Sequence, residues 1–110
     1  MSESKPKTEA TPTVSEEYLA AFRGYIRTSS TKTDGEIRDL IAAARDDLVL
    51  GGVLPVRAQD ETDPLIKKAI SYYVKADFGL DNEDSEKYRA AYASLKADLT
   101  MSTKYIRGEE

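Results

Sequence analysis

Residues 33–52 read TDGEIRDLIAAARDDLVLGG, and this stretch decides the fold class. Thr33 and Glu36 stand in the T-x-x-E arrangement of a capping box, with Asp34 as an alternative cap, and the two final glycines supply a helix stop. The apolar residues between them recur at the spacing of one face of an α-helix. The stretch therefore predicts one amphipathic helix whose buried face is formed by Ile37, Leu40, Ile41, Ala44 and Leu48.

Three more helices are predicted from the same kind of pattern. Ser15 is an N-cap for a first helix that ends near Arg27. Asp63-Pro64 begins a third helix that Gly79 ends, and a fourth helix repeats the spacing of the second. The pattern therefore predicts an all-α protein, a small bundle of four helices. The apolar faces are Tyr18, Leu19, Phe22, Tyr25 and Ile26 in the first helix, Leu65, Ile66, Ala69, Ile70, Tyr73 and Phe78 in the third, and Tyr88, Ala91, Tyr92, Leu95 and Leu99 in the fourth.

The segments outside these helices differ from them in composition. Residues 1–14 are rich in Ser, Thr, Lys, Glu and Pro, which predicts a flexible N-terminal tail, because such a segment buries too little apolar surface to offset the entropy of ordering it. Residues 53–62 predict a loop, in which Pro55 blocks helical continuation. We expect the helical domain to cover residues 15–105, and a short extended C-terminal tail to cover residues 106–110.

Composition excludes several kinds of chemistry. The chain has 110 residues with no histidine and no cysteine, so it lacks disulfides, thiolate or imidazole zinc sites, cysteine nucleophiles and histidine general bases. Glu16-Glu17, Asp46-Asp47 and the group Asp60, Glu61 and Asp63 are interpreted as solvated surface acids. We expect no catalytic residues, no cofactor and no metal site, and therefore no enzyme.

The charge balance and the hydropathy pattern address possible partners. A formal net charge of -4 argues against a protein whose affinity comes from neutralising DNA phosphates. No apolar stretch approaches the roughly 20 residues that span a bilayer. We expect a protein made in the cytoplasm that has no membrane partner.

Tyrosine is the most informative residue type, with seven copies against two phenylalanines and no tryptophan. Its large apolar body and polar tip suit protein interfaces. Tyr72, on the flank of the third helix, and Tyr105, near the C-terminus, have no evident place in a monomer core. We predict that both contact another subunit or protein. Further candidates for such contacts are Val53, Leu54, Val56 and Ile106.

Three segments together resemble a known family. They are DGEIRDLIAAARDDLVLGGV at residues 34–53, DPLIKKAISYYVKADFGLDNEDSEKY at residues 63–88, and YASLKADLTMSTKY at residues 92–105. Their order and spacing are similar to those of the head-tail connector family of long-tailed bacteriophages, which is also called the adaptor or head-completion family. The resemblance extends from about Ser15 to Tyr105 and leaves out the N-terminal tail.

The resemblance implies a structural virion protein made in the host cytoplasm. Members form a closed ring of roughly a dozen copies through heterologous contacts. The ring docks beneath the portal protein after genome packaging, extends the DNA channel and provides the attachment surface for the tail side. By likeness, Tyr105 and Ile106 would hold the portal or an adjacent subunit, and the loop at residues 53–62, with Val53, Leu54, Val56 and Arg57, would face the tail-side connector protein. Tyr72, chosen for its position on the flank of the third helix, is a further candidate for contact with the portal or a neighbouring subunit.

A lumen that DNA traverses should not bind phosphates. An acidic subunit repeated around the ring would repel them, so DNA would pass without sequence-specific binding. The alternative reading is a small DNA-binding regulator of helix-turn-helix type. Against it, the loop between the second and third helices is about ten residues long, where that motif uses three or four, and it ends in acids.

Overall fold

The computed structural model describes residues 14–28, 30–79 and 83–108, and all regular secondary structure in these ranges is helical. The predicted all-α class is confirmed. Within these ranges, six α-helices follow one another, together with a 3₁₀ turn at Thr31–Thr33. The α-helices are α1 Glu16–Tyr25, α2 Asp34–Leu50, α3 Pro55–Ala58, α4 Pro64–Asp77, α5 Ser85–Thr100 and α6 Thr103–Arg107.

The four long helices match the four predicted ones, and two short helices are added to them. Pro55 does block continuation of α2, but it also occupies the first position of α3, where a missing N–H costs nothing. Ile106 and Arg107, predicted to be extended, instead form the end of α6. The predicted flexible tail, residues 1–14, lies outside the described residues except for Val14.

Two of the predicted N-caps form. The Ser15 hydroxyl accepts a hydrogen bond from the amide of Tyr18 at 3.1 Å. The Asp63 carboxylate accepts from the amides of Leu65 and Ile66 at 2.9 and 3.2 Å. Each cap satisfies amide groups that have no partner within the helix, and so fixes where α1 and α4 begin.

The predicted capping box of α2 is wrong. The Thr33 side chain makes no cap hydrogen bond, and the Glu36 carboxylate accepts instead from the amide of Gly79, 3.0 Å away beyond the end of α4. The alternative cap, Asp34, binds the guanidinium of Arg23 in α1 through two hydrogen bonds of 2.8 and 2.9 Å. Asp34 and Glu36 therefore connect α2 to other helices instead of capping α2.

The predicted glycine stop of α2 is present and takes the form of a Schellman motif. Gly52 has a φ of 120°, and its amide donates to the carbonyl of Val49. The amide of Val53 donates to the carbonyl of Leu48, and both of these apolar side chains are buried. The chain is thereby turned back across the end of α2 toward α3.

α4 is the central helix, because it packs against α1, α2 and α5. Its buried side chains meet the buried faces of α1 and α2 in one apolar core. The largest fully buried side chains are Leu19, Phe22, Ile37, Ile41, Leu48, Val53, Ile66, Ile70, Val74 and Leu99. Among the described helices, none has the length and apolar character required to cross a bilayer.

Several positions depart from the predicted faces. Leu65 and Tyr25 are 44% and 38% exposed and Leu40 is only half-buried, although all three were predicted to lie on apolar faces. Conversely, Arg45 in the middle of α2 is 2% exposed. The core of the bundle therefore accepts the charged side chain of Arg45, whose partners are described below.

Replacement of Ile41 by alanine should destabilise the fold by about 2–5 kcal/mol, because it removes buried methyl groups and leaves a cavity. The matched variant Leu40→Ala should cost clearly less, since its side chain is half-buried. Urea unfolding followed by circular dichroism measures both. Equal losses of unfolding free energy in the two variants would show that the assigned face of α2 is wrong.

Candidate functional site

The turn at residues 60–63 connects parts of the chain that are distant in sequence. Asp63 is buried, and its carboxylate accepts from the hydroxyl of Tyr105 at 3.0 and 3.2 Å as well as capping α4. The Glu61 carboxylate accepts from the backbone amide of Ser15 at 3.0 Å and from its hydroxyl. The turn therefore holds the start of α1 and the C-terminal helix α6 against the start of α4.

Glu61 is also the partner of the buried arginine. The guanidinium of Arg45 lies 3.5 Å from the Glu61 carboxylate and 5.7 Å from the centre of the Tyr18 ring. Burial opposes ionisation of Glu61, but the hydrogen bonds from Ser15 and the charge of Arg45 outweigh it and lower the pKa of the carboxyl group. The interpretation of Glu61 and Asp63 as solvated surface acids is therefore wrong.

Asp47, also predicted to be a solvated acid, joins α2 to α5. Its carboxylate accepts from the Tyr92 hydroxyl at 2.6 Å and from the Lys96 ammonium at 2.9 Å. Partial burial opposes ionisation of Asp47, but the hydrogen bonds from Tyr92 and Lys96 outweigh it and lower the pKa of the carboxyl group. Among the described residues, no group of three or more carboxylates converges on a point that could hold a metal ion.

Tyr105 does not project from the protein. It is 4% exposed, and burial together with the Asp63 hydrogen bond raises its pKa to about 12. Its backbone carbonyl also accepts from the amide of Leu54 at 2.8 Å. The predicted interface use of this side chain conflicts with its burial, because its hydroxyl is already bound within the chain.

The other predicted interface residues are placed differently from one another. Val53 is 1% exposed and belongs to the core, so its side chain is not available to a partner. Val56 is 72% exposed on α3. Leu54, Arg57 and Ile106 are half-buried. The loop thus presents chiefly Val56 to the outside.

Tyr72 has an intramolecular partner. It is half-buried, and its ring stacks on that of Tyr88 in α5 at 6.5 Å between centroids. The predicted contact of Tyr72 with another molecule remains a prediction, now restricted to the exposed part of the ring.

Two exposed apolar residues were missed in the sequence. Leu50 is 85% exposed at the end of α2, and Met101 is 80% exposed directly after α5. These helix ends lie side by side, because a Cβ atom at Gly51 would be 2.7 Å from Lys96 Cε and 3.4 Å from Thr100 Cγ2. We call the surface around Leu50 and Met101 the apolar end. Leu50 is an apolar residue that lies outside the apolar stripe of α2. That position is the signal in the sequence that could have identified it as exposed.

An open groove of about 570 Å³ lies where the end of α1, the end of α4 and the start of α5 meet. Four of its lining residues are aromatic or aliphatic and four are charged, two of each sign. We call it the tyrosine groove. Its lining residues are Tyr25, Ile26, Arg27, Lys75, Phe78, Glu83, Asp84 and Tyr88.

Lysines and tyrosines alternate from α1 to α5 beside this groove. The ammonium of Lys67 lies 5.6 Å from the Tyr18 ring centre and 5.9 Å from that of Tyr25. The ammonium of Lys75 lies 5.7 Å from the Tyr25 ring centre and 5.3 Å from that of Tyr88. These are cation–π distances, so the lysines of α4 hold the rings of α1 and α5 in place.

The comparisons with known proteins give one match. A family model described as phage connector protein matches residues 24–106. No curated protein and no solved structure matches the chain.

The pairing of Glu61 makes a pH-dependent prediction. The pKa of Glu61 is lower in the folded protein than in the unfolded chain, so its ionised form stabilises the fold at pH values above the usual pKa of a glutamate. This contribution to stability is lost as the pH falls through the folded-state pKa. Glu61→Gln should destabilise the protein by about 1–3 kcal/mol at pH 7. The difference in unfolding free energy between Glu61→Gln and the unmodified chain should shrink as the pH falls below the pKa of an ordinary carboxyl group.

The measurement is urea unfolding at a series of pH values, with Asp39→Asn as the control. Asp39 is exposed on α2, so this variant should stay within about 0.5 kcal/mol of the unmodified chain. A destabilisation by Glu61→Gln that is constant from neutral to acid pH would contradict the assigned ionisation.

Proposed function

This chain belongs to the phage connector protein family, and from that membership we propose that it is a structural virion protein that connects the head of a long-tailed bacteriophage to its tail. The family match carries the proposal, because it covers α2 to α5 completely and α6 up to Ile106. A protein of this kind acts through contacts with other virion proteins and not through catalysis.

The proposed assembly is a ring located at the head-tail junction. Copies of the chain, roughly a dozen, would form a closed cyclic ring through heterologous contacts. The ring would dock on the portal protein after genome packaging and extend the DNA channel, and a tail-side connector protein would bind its other face. The chain would be made in the host cytoplasm and end in the virion.

Exposed apolar side chains support a role in protein contacts. Leu50, Val56 and Met101 are each at least 72% exposed, so burial of these side chains against a partner would be favourable. Val56 on α3 is the proposed contact with the tail-side protein. Ile106 on α6 and Tyr72 on α4 remain the proposed contacts with the portal or a neighbouring copy, while Tyr105 supports α6 from within.

Passage of DNA through the ring requires a surface that does not retain phosphates. The chain has 16 basic and 20 acidic residues, a net charge of -4, so a ring of copies repels DNA at long range. We propose that Lys67, Lys68 and Arg57 face away from the lumen. The contacts of Lys67 with two tyrosine rings give that lysine a role inside the subunit.

The helix-turn-helix alternative is not favoured. The connection between α2 and α4 covers residues 51–63 and contains the separate helix α3, whereas that motif joins its helices by a turn of about three or four residues. A recognition helix also requires a basic surface directed at DNA.

The proposal is tested by complementation of heads. Heads produced by a phage that lacks this gene product should contain the portal and DNA but fail to bind tails, and addition of the purified chain should restore tail attachment. Electron microscopy counts the tailed particles. If the purified chain neither binds these heads nor restores tails, the connector function is wrong. A steep loss of DNA affinity with increasing salt would instead support the DNA-binding regulator.

A surface variant separates the two sides of the ring. Val56→Asp should fold normally and still bind heads, but it should reduce tail attachment at least tenfold, because it places a charge on the proposed tail-side contact. The matched control is Leu65→Asp, another exposed apolar residue, located at the start of α4. Tail attachment by the Val56 variant at the level of the control would remove Val56 from the interface.

A further inference from the structure

α5 and α6 are separated by two residues, and the sequence does not require a break between them. Residues 85–107 contain neither glycine nor proline, the residue types that most often end a helix. Met101 lies near the helical region, with φ of -103° and ψ of 0°, whereas Ser102 is extended, with ψ of 126°. The bend between the two helices therefore depends chiefly on one backbone dihedral angle.

The sequence of this segment also carries the signals of a single helix. Glu86 in its first turn suits the positive end of a helix, and Lys104 and Arg107 near its end suit the negative one. Gly108, with φ of 76°, supplies a left-handed stop. Residues 85–107 are thus compatible with one straight helix of about 35 Å as well as with the bent pair.

The bend is maintained by contacts between α6 and parts of the chain that are distant in sequence. The Tyr105 hydroxyl donates to Asp63, and the Tyr105 carbonyl accepts from the amide of Leu54 at 2.8 Å. A Cβ atom at Gly52 would lie 3.9 Å from Ile106 Cγ2. We call Gly52, Leu54 and Asp63 the α6 socket. A helix of five residues is not stable alone, so the socket holds α6 in its bent position.

The apolar end lies beside both the bend and the socket. Met101, which is 80% exposed, is part of the bend, and Leu50, which is 85% exposed, precedes Gly52 by two residues. They are the most exposed large apolar side chains among the described residues. A second copy that approaches this end would bury both side chains, and that burial is favourable.

We propose that α6 of one copy leaves its own socket and binds in the α6 socket of a neighbouring copy, while α5 and α6 straighten into one helix. The occupant of the socket is then the C-terminal helix of a second copy of this chain. Every contact that α6 makes within one subunit is remade between two, which is why exchange of an identical element is a low-cost route to assembly. A short connection such as residues 101–102 favours it.

The exchange assigns a direction to the contact between subunits. If each copy gives α6 to the next, the contact is heterologous and generates a ring when the rotation between copies closes. Tyr105 is then buried in the neighbour, where it binds Asp63 of that copy. The role of the exchange in a virion rests on the proposed connector function, but the exchange itself is measurable in the purified chain.

Cross-linking of the unmodified chain tests the exchange directly. The charge of Lys104 acts on the nearby Asp60 carboxylate, and a carbodiimide joins a lysine to a neighbouring acid. Unlabelled and ¹⁵N-labelled chains are mixed as dilute monomers, concentrated, cross-linked and separated by size. In the associated fraction, mass spectrometry should find cross-links from Lys104 to residues 60–63 between chains of different label as often as between chains of the same label. In the monomer fraction, every such cross-link should lie within one label.

Variants of the bend provide a second measurement. Met101→Ala with Ser102→Ala should associate roughly tenfold or more tightly than Met101→Gly with Ser102→Gly, because alanine favours and glycine disfavours a continuous helix at these positions. Sedimentation measures both association constants. The control is Ala97→Gly, an exposed position that is helical in the bent and the straight form, and it should leave the association constant unchanged.

Three outcomes would overturn the proposal: cross-links only within one label in the associated fraction, equal association of the alanine and glycine variants, or no association of the alanine variant at millimolar concentration. If head complementation succeeds while the exchange fails, the connector function stands and subunits are joined by other surfaces. If labels mix in the cross-links while complementation fails, the exchange is supported and the connector function is wrong.

Discussion

The Asp63 carboxylate is buried where α4 begins, and the packing of the helices depends on the groups that donate hydrogen bonds to it. It accepts from the amides of Leu65 and Ile66 and from the hydroxyl of Tyr105. A buried charge of this kind is tolerated only when it is fully hydrogen-bonded. The central helix and the C-terminal helix α6 are therefore fixed relative to each other by one side chain.

The neighbouring Glu61 extends this arrangement to the other side of the bundle. It binds Ser15, which caps α1, and it faces the buried guanidinium of Arg45 in α2. Loss of Glu61 from this partly buried ion pair is destabilising, because the guanidinium of Arg45 stays in the interior with one partner fewer. Two acids two residues apart thus hold α1, α2, α4 and α6 together in a chain of modest size.

This internal use of polar groups determines which surfaces are left for other molecules. The side chains of Tyr105 and Val53 are buried inside the subunit, whereas those of Leu50, Val56 and Met101 are exposed. For a connector, a subunit stabilised from within can present apolar residues at its ends, because the fold itself does not require their burial. The ammonium groups of Lys67 and Lys75 lie over the rings of Tyr18, Tyr25 and Tyr88 and so restrain these rings beside the groove.

The sequence by itself determined the helical class, the four long helices, the Ser15 and Asp63-Pro64 starts and the glycine stop of α2, because these depend on local periodicity and on backbone geometry within a few residues. Only the tertiary structure decided that Glu36 leaves its own helix for Gly79, that Arg45 is buried, and that Tyr105 lies in the core. It also decided that Leu50 and Met101 stay exposed at one end. These outcomes depend on contacts between residues far apart in sequence, such as the 43 positions between Glu36 and Gly79 and the 42 between Asp63 and Tyr105, and spacing along a single helix carries no information about them.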